Sequence, residues 1–347
     1  MTKSTHSYWS KRILQIEEKM DRYGVEYFNE LAQAYERASR DTQKVIIQLY
    51  NKLAANNKIS MKEAKKLLTS NELKEFRWSV NEYIEYARLH SLDETWITKL
   101  ENAGLKYRIS RLEAMRVQMQ NSVEVLMATE LDGITELMSD IYTESYYRTG
   151  HALQTGLGIG YSFAALDTKQ VELIIHKPWV SDGSNFSERI WGKHRPQLIN
   201  ELHTGLTQAI IRGQSTDKLV DHITKRFDVA KSRAENLVRT ERAFFSNVAM
   251  QKSYEELGVD YQQFCATLDL RTSEMCREMD GTIIATKDID IGVNAPPLHC
   301  RCRSVMIPYI EGNIKQRAAR NKDGKTIYVD GNMTYKEWYK QFVEGEK

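Results

Sequence analysis

Apolar positions in the first 150 residues recur at helical spacing. Val45, Ile46, Leu49, Tyr50 and Leu53 follow the i, i+3, i+4, i+7, i+8 stripe of an amphipathic helix. Ser60 with Glu63 reads as a capping box, and Ala64, Leu67 and Leu68 continue an apolar face. Residues 71–100 carry Leu73, Phe76, Val80, Tyr83, Ile84 and Ala87, and residues 110–131 form a further helix rich in Met and Glu. Breakers are scarce here. No proline precedes Pro178, and Gly24, Gly104 and Gly133 are the expected helix ends. The pattern predicts an extended helical domain over residues 1–150.

The pattern changes over 151–185. Gly156, Gly158, Gly160 and Gly183 interrupt it, and Val171–Ile175 forms a short β-like run closed by Pro178. This predicts a connector with one or two strands. The Gly156-x-Gly158-x-Gly160 run lacks the preceding strand and following helix start that a phosphate cradle needs, so it reads as a hinge. Helices resume at Ser187, with Ile190, Trp191, Leu198, Leu202, Leu206, Ile210 and Ile211 as apolar content and Pro196 as a predicted kink or true start. Gly213 fits a helix end. A helix capped by Ser215 or Thr216 carries Leu219, Val220, Ile223 and Phe227, and a separate one runs from about residue 230 to Gly258. A strand is predicted over 261–268 and another ending near Pro308. The remainder reads as polar loop until a short helix begins at Thr334.

The expected fold class is therefore α+β, mainly α. An extended helical N-terminal domain (1–150) is followed by a connector (151–185), a smaller C-terminal α+β module (186–310) and a tail (311–347). Composition agrees, since 41% hydrophobic and 28% charged residues rule out wholesale disorder. A formal charge of +2 excludes a whole-chain basic footprint for nucleic acid. From Arg301 onward, ten Lys or Arg face six Asp or Glu, a local basic bias best read as a solvated tail. No apolar run reaches the roughly 18 residues of a membrane span, and the first twenty residues lack the apolar stretch of a signal peptide. Reduced thiols or metal ligands are expected, not a disulfide scaffold.

The densest chemistry lies between Cys265 and Arg303. All four cysteines (265, 276, 300 and 302) and His299 fall there. Thiolate and imidazole together suit zinc. In an extended segment Cys300 and Cys302 share a side; in a turn, His299 and Cys302 form a hook on one ion, with Cys276 as the third ligand. A fourth ligand could come from Cys300, Cys265 or Asp269, and the spacing is not that of paired C-x-x-C ribbons. Structural zinc and packed reduced thiols are the two leading readings, with Cys/His nucleophilic catalysis behind them. Asp269, Arg271, Thr272, Asp280 and Gly281 read as turn-forming residues. Arg239, Thr240 and Glu241 lie inside a helix among apolar neighbours, so Arg239 and Glu241 are expected in a buried ion pair with the cysteine-bearing segment.

Three strings, RTERAFFSN (239–247), LDLRTSEMCREMDG (268–281) and PPLHCRCRS (296–304), occur in that order. Together they resemble the phage head morphogenesis proteins, also called minor head or minor capsid proteins, of the Mu F-like group. The likeness covers roughly residues 185–340, including NFSERIW (185–191), RGQS (212–215) and YKEW (335–338). It implies a non-enzymatic, low-copy virion component inside the capsid near the portal vertex, present in host cytoplasm during assembly, that acts in head assembly or genome delivery. The implied partners are the portal protein, other capsid proteins and phage DNA, with no membrane. The implied signature positions are Arg239, Thr240, Glu241, Asp269, Arg271, Thr272, Cys276, Asp280, Gly281, His299, Cys302 and Arg303. Many relatives read H-P-x-C-R-C. Here Cys302-Arg303 falls on their first C-R, Ser304 stands at their second Cys and Cys300 is extra, which leaves the fourth metal ligand open. An enzyme, a nuclease or ADP-ribosyl transferase using Arg239, Glu241, Asp269 and His299, is the rival reading.

Overall fold

A computed structural model describes residues 6–55, 111–157, 165–179, 182–211, 214–309, 317–320, 326–329 and 333–341. The Ser60 capping box, the 71–100 helix, Gly104, the Gly158 and Gly160 positions and Gly213 lie outside these. Helices α1 (His6–Ala55), α2 (Arg111–Leu157), α3 (Thr168–Ile175), α4 (Phe186–Arg189), α5 (Arg195–Ile211) and α6 (Thr216–Glu256) precede strand β1 (Tyr261–Cys265). Helix α7 (Glu274–Met279), β2 (Ile283–Ala285), β3 (Val305–Tyr309), β4 (Arg317–Arg320), β5 (Thr326–Val329) and α8 (Tyr335–Tyr339) complete the described elements. The fold is α+β and mainly α, as the periodicity predicts.

Several expectations need correction. Gly24 and Gly133 lie inside α1 and α2 and end neither. At Gly24 the reason is packing: a Cβ would sit 3.1 Å from Cδ of Arg242. Residues 171–175 are helix, not strand. Asp167 accepts the Lys169 N–H at 3.0 Å as an N-cap, and the buried residues, Val171 and Ile175, are one helical turn apart. The two helices expected on either side of residue 230 are one, α6. The tail contains a hairpin, with Arg317 opposite Val329 and Arg320 opposite Thr326. Ala319 and Val329 join Leu268, Tyr335 and Trp338 in a buried cluster, so these stretches are part of a core and not a solvated tail.

Pro196 does mark an irregularity. Residues Ile190–His194 form a π-helical turn, and the Arg195 N–H reaches back to the Ile190 carbonyl. Proline has no N–H for residue 192, and its ring crowds that carbonyl, so the turn widens just before it.

The described residues divide into two compact units. One draws on 29–133 and 187–234. Its core includes Leu31, Tyr35, Met119, Met127, Leu198, Leu202 and Phe227. There Arg195 holds Glu124 with two bonds, of 2.7 and 2.6 Å, and the Tyr35 hydroxyl donates to Glu130 at 2.5 Å. The Glu130 carboxyl is pushed up to about 7 by burial, against the pull of the Tyr35 bond.

The other unit draws on 1–28, 134–186 and 235–347 and contains all the signature positions. Its α1 stretch buries Trp9, Ile13, Ile16 and Met20 at alternating steps of three and four. In α6, every residue from Thr240 to Asn247 is buried, which makes this stretch a central helix. The small sheet has the order β2-β1-β3, all antiparallel. Its register places Cys265 opposite Val305, so the loops that leave β1 and enter β3 emerge side by side.

Candidate functional site

The side-by-side loops carry two of the three sequence strings. The loop after β1 turns at Asp269, whose carboxylate accepts the Arg271 N–H at 2.9 Å and the Thr272 hydroxyl at 3.2 Å. Arg303, from the opposing loop, closes on the same carboxylate with bonds of 2.5 and 2.8 Å. Burial alone would raise the Asp269 carboxyl, but Arg303, the Arg271 N–H and Thr272 together hold it below its ordinary 3.8. The Thr267 hydroxyl donates to the Arg303 carbonyl at 3.0 Å, so side chain and backbone tie the loops at one point.

Asp280 serves a second junction. It accepts the Ala266 N–H at 2.9 Å and the Tyr335 N–H at 2.8 Å, linking the end of α7 to β1 and to the start of α8. Gly281 follows at φ +82°, a left-handed conformation in which its N–H bonds the Phe264 carbonyl at 2.9 Å. Thr334 and Glu337 cap α8 reciprocally, and the Tyr335 hydroxyl donates to the Asp269 carbonyl at 3.1 Å.

Beside these junctions, Ser273 caps α7 and sets Cys276 in its first turn. Residues 299–302 form a turn closed by Cys302 N–H to the His299 carbonyl at 3.2 Å, with Arg301 at φ +60°. The turn brings His299 and Cys302, three residues apart, to one side. Cys276 Sγ lies 3.3 Å from His299 Nε2 and 3.6 Å from Cys302 Sγ, and the three ligand atoms all lie within 4.8 Å of one another. The His299 Nδ1–H donates to the Cys300 carbonyl at 2.8 Å, so Nε2 carries the lone pair that faces the sulfurs. The Ser273 hydroxyl donates to that Nε2 at 2.8 Å.

The backbone N–H groups of Leu298 and Ser304 point at Cys302 Sγ, and the Ser304 hydroxyl reaches both sulfurs. The bond from the Cys276 thiol, with these N–H groups, lowers Cys302 to about 6, while donating that bond, together with burial, raises Cys276. The pair thus releases its first proton readily and its second with difficulty.

Three of the four expected ligands therefore meet. Cys300 does not join them, because closing the turn directs it outward and leaves it exposed. Neither Cys265 nor Asp269 supplies a fourth ligand: both lie outside the group, and Asp269 is committed to Arg303.

The helical string differs from expectation. Arg239 pairs with Glu235 at 2.9 Å on its own helix and lies 3.9 Å from Asp21, a third exposed; Glu241 accepts the Trp179 indole N–H at 2.9 Å. The buried pair belongs to their neighbour Arg242, bonded to Glu17 at 2.5 Å and 3.4 Å from Asp21. The contact with the cysteine-bearing turn is made by Glu235, which receives Arg301 at 3.2 Å, and by the Thr240 hydroxyl, which accepts the Arg301 N–H at 3.5 Å. Trp179 also stacks on Phe244, with ring centres 4.1 Å apart. Sequence reasoning missed Arg242, Glu17, Trp179 and Ser273. Arg242 and Ser273 stood inside the strings, and the other two had no local signal.

Residues 200–307 match the family described as Phage Mu protein F like protein. That span contains all three strings and ends in β3. The chain is also 27% identical over 262 residues to the minor head protein GP7 of Bacillus phage SPP1, covering 70% of this chain and 83% of that protein. An uncharacterised protein of Haemophilus influenzae is 26% identical over 119 residues, 34% of this chain and 27% of its own length. No solved structure matches the chain. By these matches, residues 200–307 are similar to the Mu F-like family, and the longer chain is similar to a phage minor head protein.

Proposed function

We propose that this protein is a minor component of a phage head, present in few copies. In this reading it associates with the portal and acts in head assembly or genome delivery. Other capsid proteins and the packaged DNA are its further partners, and the helical N-terminal region supplies the docking surface. The observation that carries the reading is where the signature side chains go. Asp269, Thr272, Asp280 and Arg303 bond loops to one another, and Thr240 and Glu241 receive groups from neighbouring segments. Such residues build a rigid part. The four side chains named for the rival enzymatic reading are held by different partners: Arg239 by Glu235, Glu241 by Trp179, Asp269 by Arg303 and His299 by Ser273. No helix among the described residues is long and apolar enough to cross a membrane.

Purified virions of the phage that encodes the chain, analysed by quantitative mass spectrometry, should contain it in few copies. Co-expression with the portal protein should give a complex that survives size exclusion. Its absence from virions, together with failure to co-purify with the portal, would overturn the reading.

A further inference from the structure

We propose that Cys276, His299 and Cys302 bind one zinc ion, with Ser304 standing where a fourth protein ligand would complete the site. Zinc held at about 2.3 Å by sulfur and about 2.0 Å by nitrogen in a tetrahedron sets sulfur atoms about 3.8 Å apart and sulfur to nitrogen about 3.6 Å apart. The two sulfurs here are 3.6 Å apart, and Cys276 Sγ is 3.3 Å from Nε2 of His299. These two edges match an ion to within a few tenths of an ångström, the third, His299 Nε2 to Cys302 Sγ, is under 4.8 Å, and the Ser273 hydroxyl would turn away from Nε2 to admit the ion.

The surroundings are those of a metal ligand set. His299 has its Nδ1–H anchored on a backbone carbonyl, which fixes the tautomer that ligates through Nε2. Cys302 Sγ faces two backbone N–H groups, which stabilise a bound thiolate. Cys276 and Cys302 are both 1% exposed, so the ion would be shielded and would join α7 to the 299–302 turn. The pairing of β1 with β3 and the Asp269–Arg303 tie bring these two segments together, so the ion would clamp a contact already set up. Two thiolates neutralise the ion's charge, which suits a buried position. Ser304 is 3% exposed and its hydroxyl reaches both sulfurs, so its side chain borders the position left open by the three ligands. A sulfur at residue 304 would complete the ligand set.

The test uses the full chain, purified without chelators and under reducing conditions. Elemental analysis should give about one zinc per chain. Metal-free protein titrated with cobalt(II) should develop tetrahedral ligand-field bands and a thiolate-to-cobalt charge-transfer band of two-thiolate intensity. Cys276→Ser and Cys302→Ser should lose both, and Cys300→Ser should lose neither. Ser304→Cys should raise the charge-transfer intensity by about half, two thiolates becoming three, and tighten binding. If the cysteine-to-serine variants do not fold, the wild-type titration and the Cys300→Ser and Ser304→Cys arms still decide. No zinc and no cobalt spectrum in reduced wild-type protein would overturn the proposal. So would loss of metal in Cys300→Ser, or a Cys276–Cys302 disulfide in freshly prepared protein.

Discussion

The long helices and the sheet-containing module satisfy their buried polar groups in opposite ways. A helix bonds its own backbone, so buried polar side chains on α1, α2 and α6 are left to pair with one another. Glu17 meets Arg242, and Ser145 meets Ser246. The module has strands of three to five residues joined by long loops, so much of its backbone lies outside a regular ladder. Its side chains supply them: Asp280 receives two N–H groups, Asp269 another, and Arg277 donates to the Thr272 carbonyl at 2.7 Å. Tyr254, on α6, extends this to β3 by donating to the Met306 carbonyl at 3.0 Å. Short Asp, Thr and Ser side chains are therefore dense where regular structure is sparse, as in the 268–281 string.

This contrast can be broken or sharpened by substitution. The largest effect is expected in the helices. Arg242→Ala leaves the Glu17 carboxylate buried without its guanidinium and should cost about 3–5 kcal/mol in chemical denaturation. Replacing both residues by apolar ones should recover most of that loss. A cost under about 1 kcal/mol for the single change would mean that the pair does not organise the helices.

Next comes Glu130, in the other unit. Its folded-state value is about 7, against an ordinary 4.5. Between these limits the folded state binds more protons than the unfolded chain, so stability falls as pH rises. The contribution, about 3 kcal/mol, is fully present below pH 4.5 and lost by the time pH has passed 7. Glu130→Gln should remove that slope and raise the melting temperature at pH 8. Thermal melts from pH 4.5 to 8 check this.

Asp280→Ala should cost about 2–3 kcal/mol by leaving the Ala266 and Tyr335 N–H groups unbonded. Because Trp338 is buried beside Tyr335, its fluorescence should shift to the red. Asp280→Asn should restore part of the loss. Smallest is Trp179→Phe, which keeps an aromatic ring against Phe244 but removes the N–H that serves Glu241, at about 1–2 kcal/mol by denaturation.

Much of the architecture is readable from residue type and short spacing, and the failures share a cause. The turn chemistry of Asp269, Gly281 and Thr334, and the meeting of Cys276, His299 and Cys302, follow from such local signals. Val171–Ile175 misleads because β-branched composition outweighs the i, i+4 spacing of Val171 and Ile175 and the Asp167 cap. A break near residue 230 does not occur, and no glycine or proline lies between Thr216 and Glu256 to produce one. The β4–β5 hairpin has strands of only four residues, too short to show alternation. Arg242 and Glu17 are 225 residues apart, and local pattern carries nothing about such a pair. It can say that the RTERAFFSN helix is crowded, not which charge turns inward.

The double duty of Asp280 has a practical side for anyone redesigning this chain. A version cut after Tyr309 is not the same body with its basic end trimmed off. It strips the cover from Leu268, deprives the carboxylate of a donor and removes the ring beneath Arg277. A change in any binding property on such a truncation would report an opened flank as readily as missing lysines. Charge-reversing changes at exposed sites such as Lys336 and Lys340, which leave that flank shut, are the cleaner instrument.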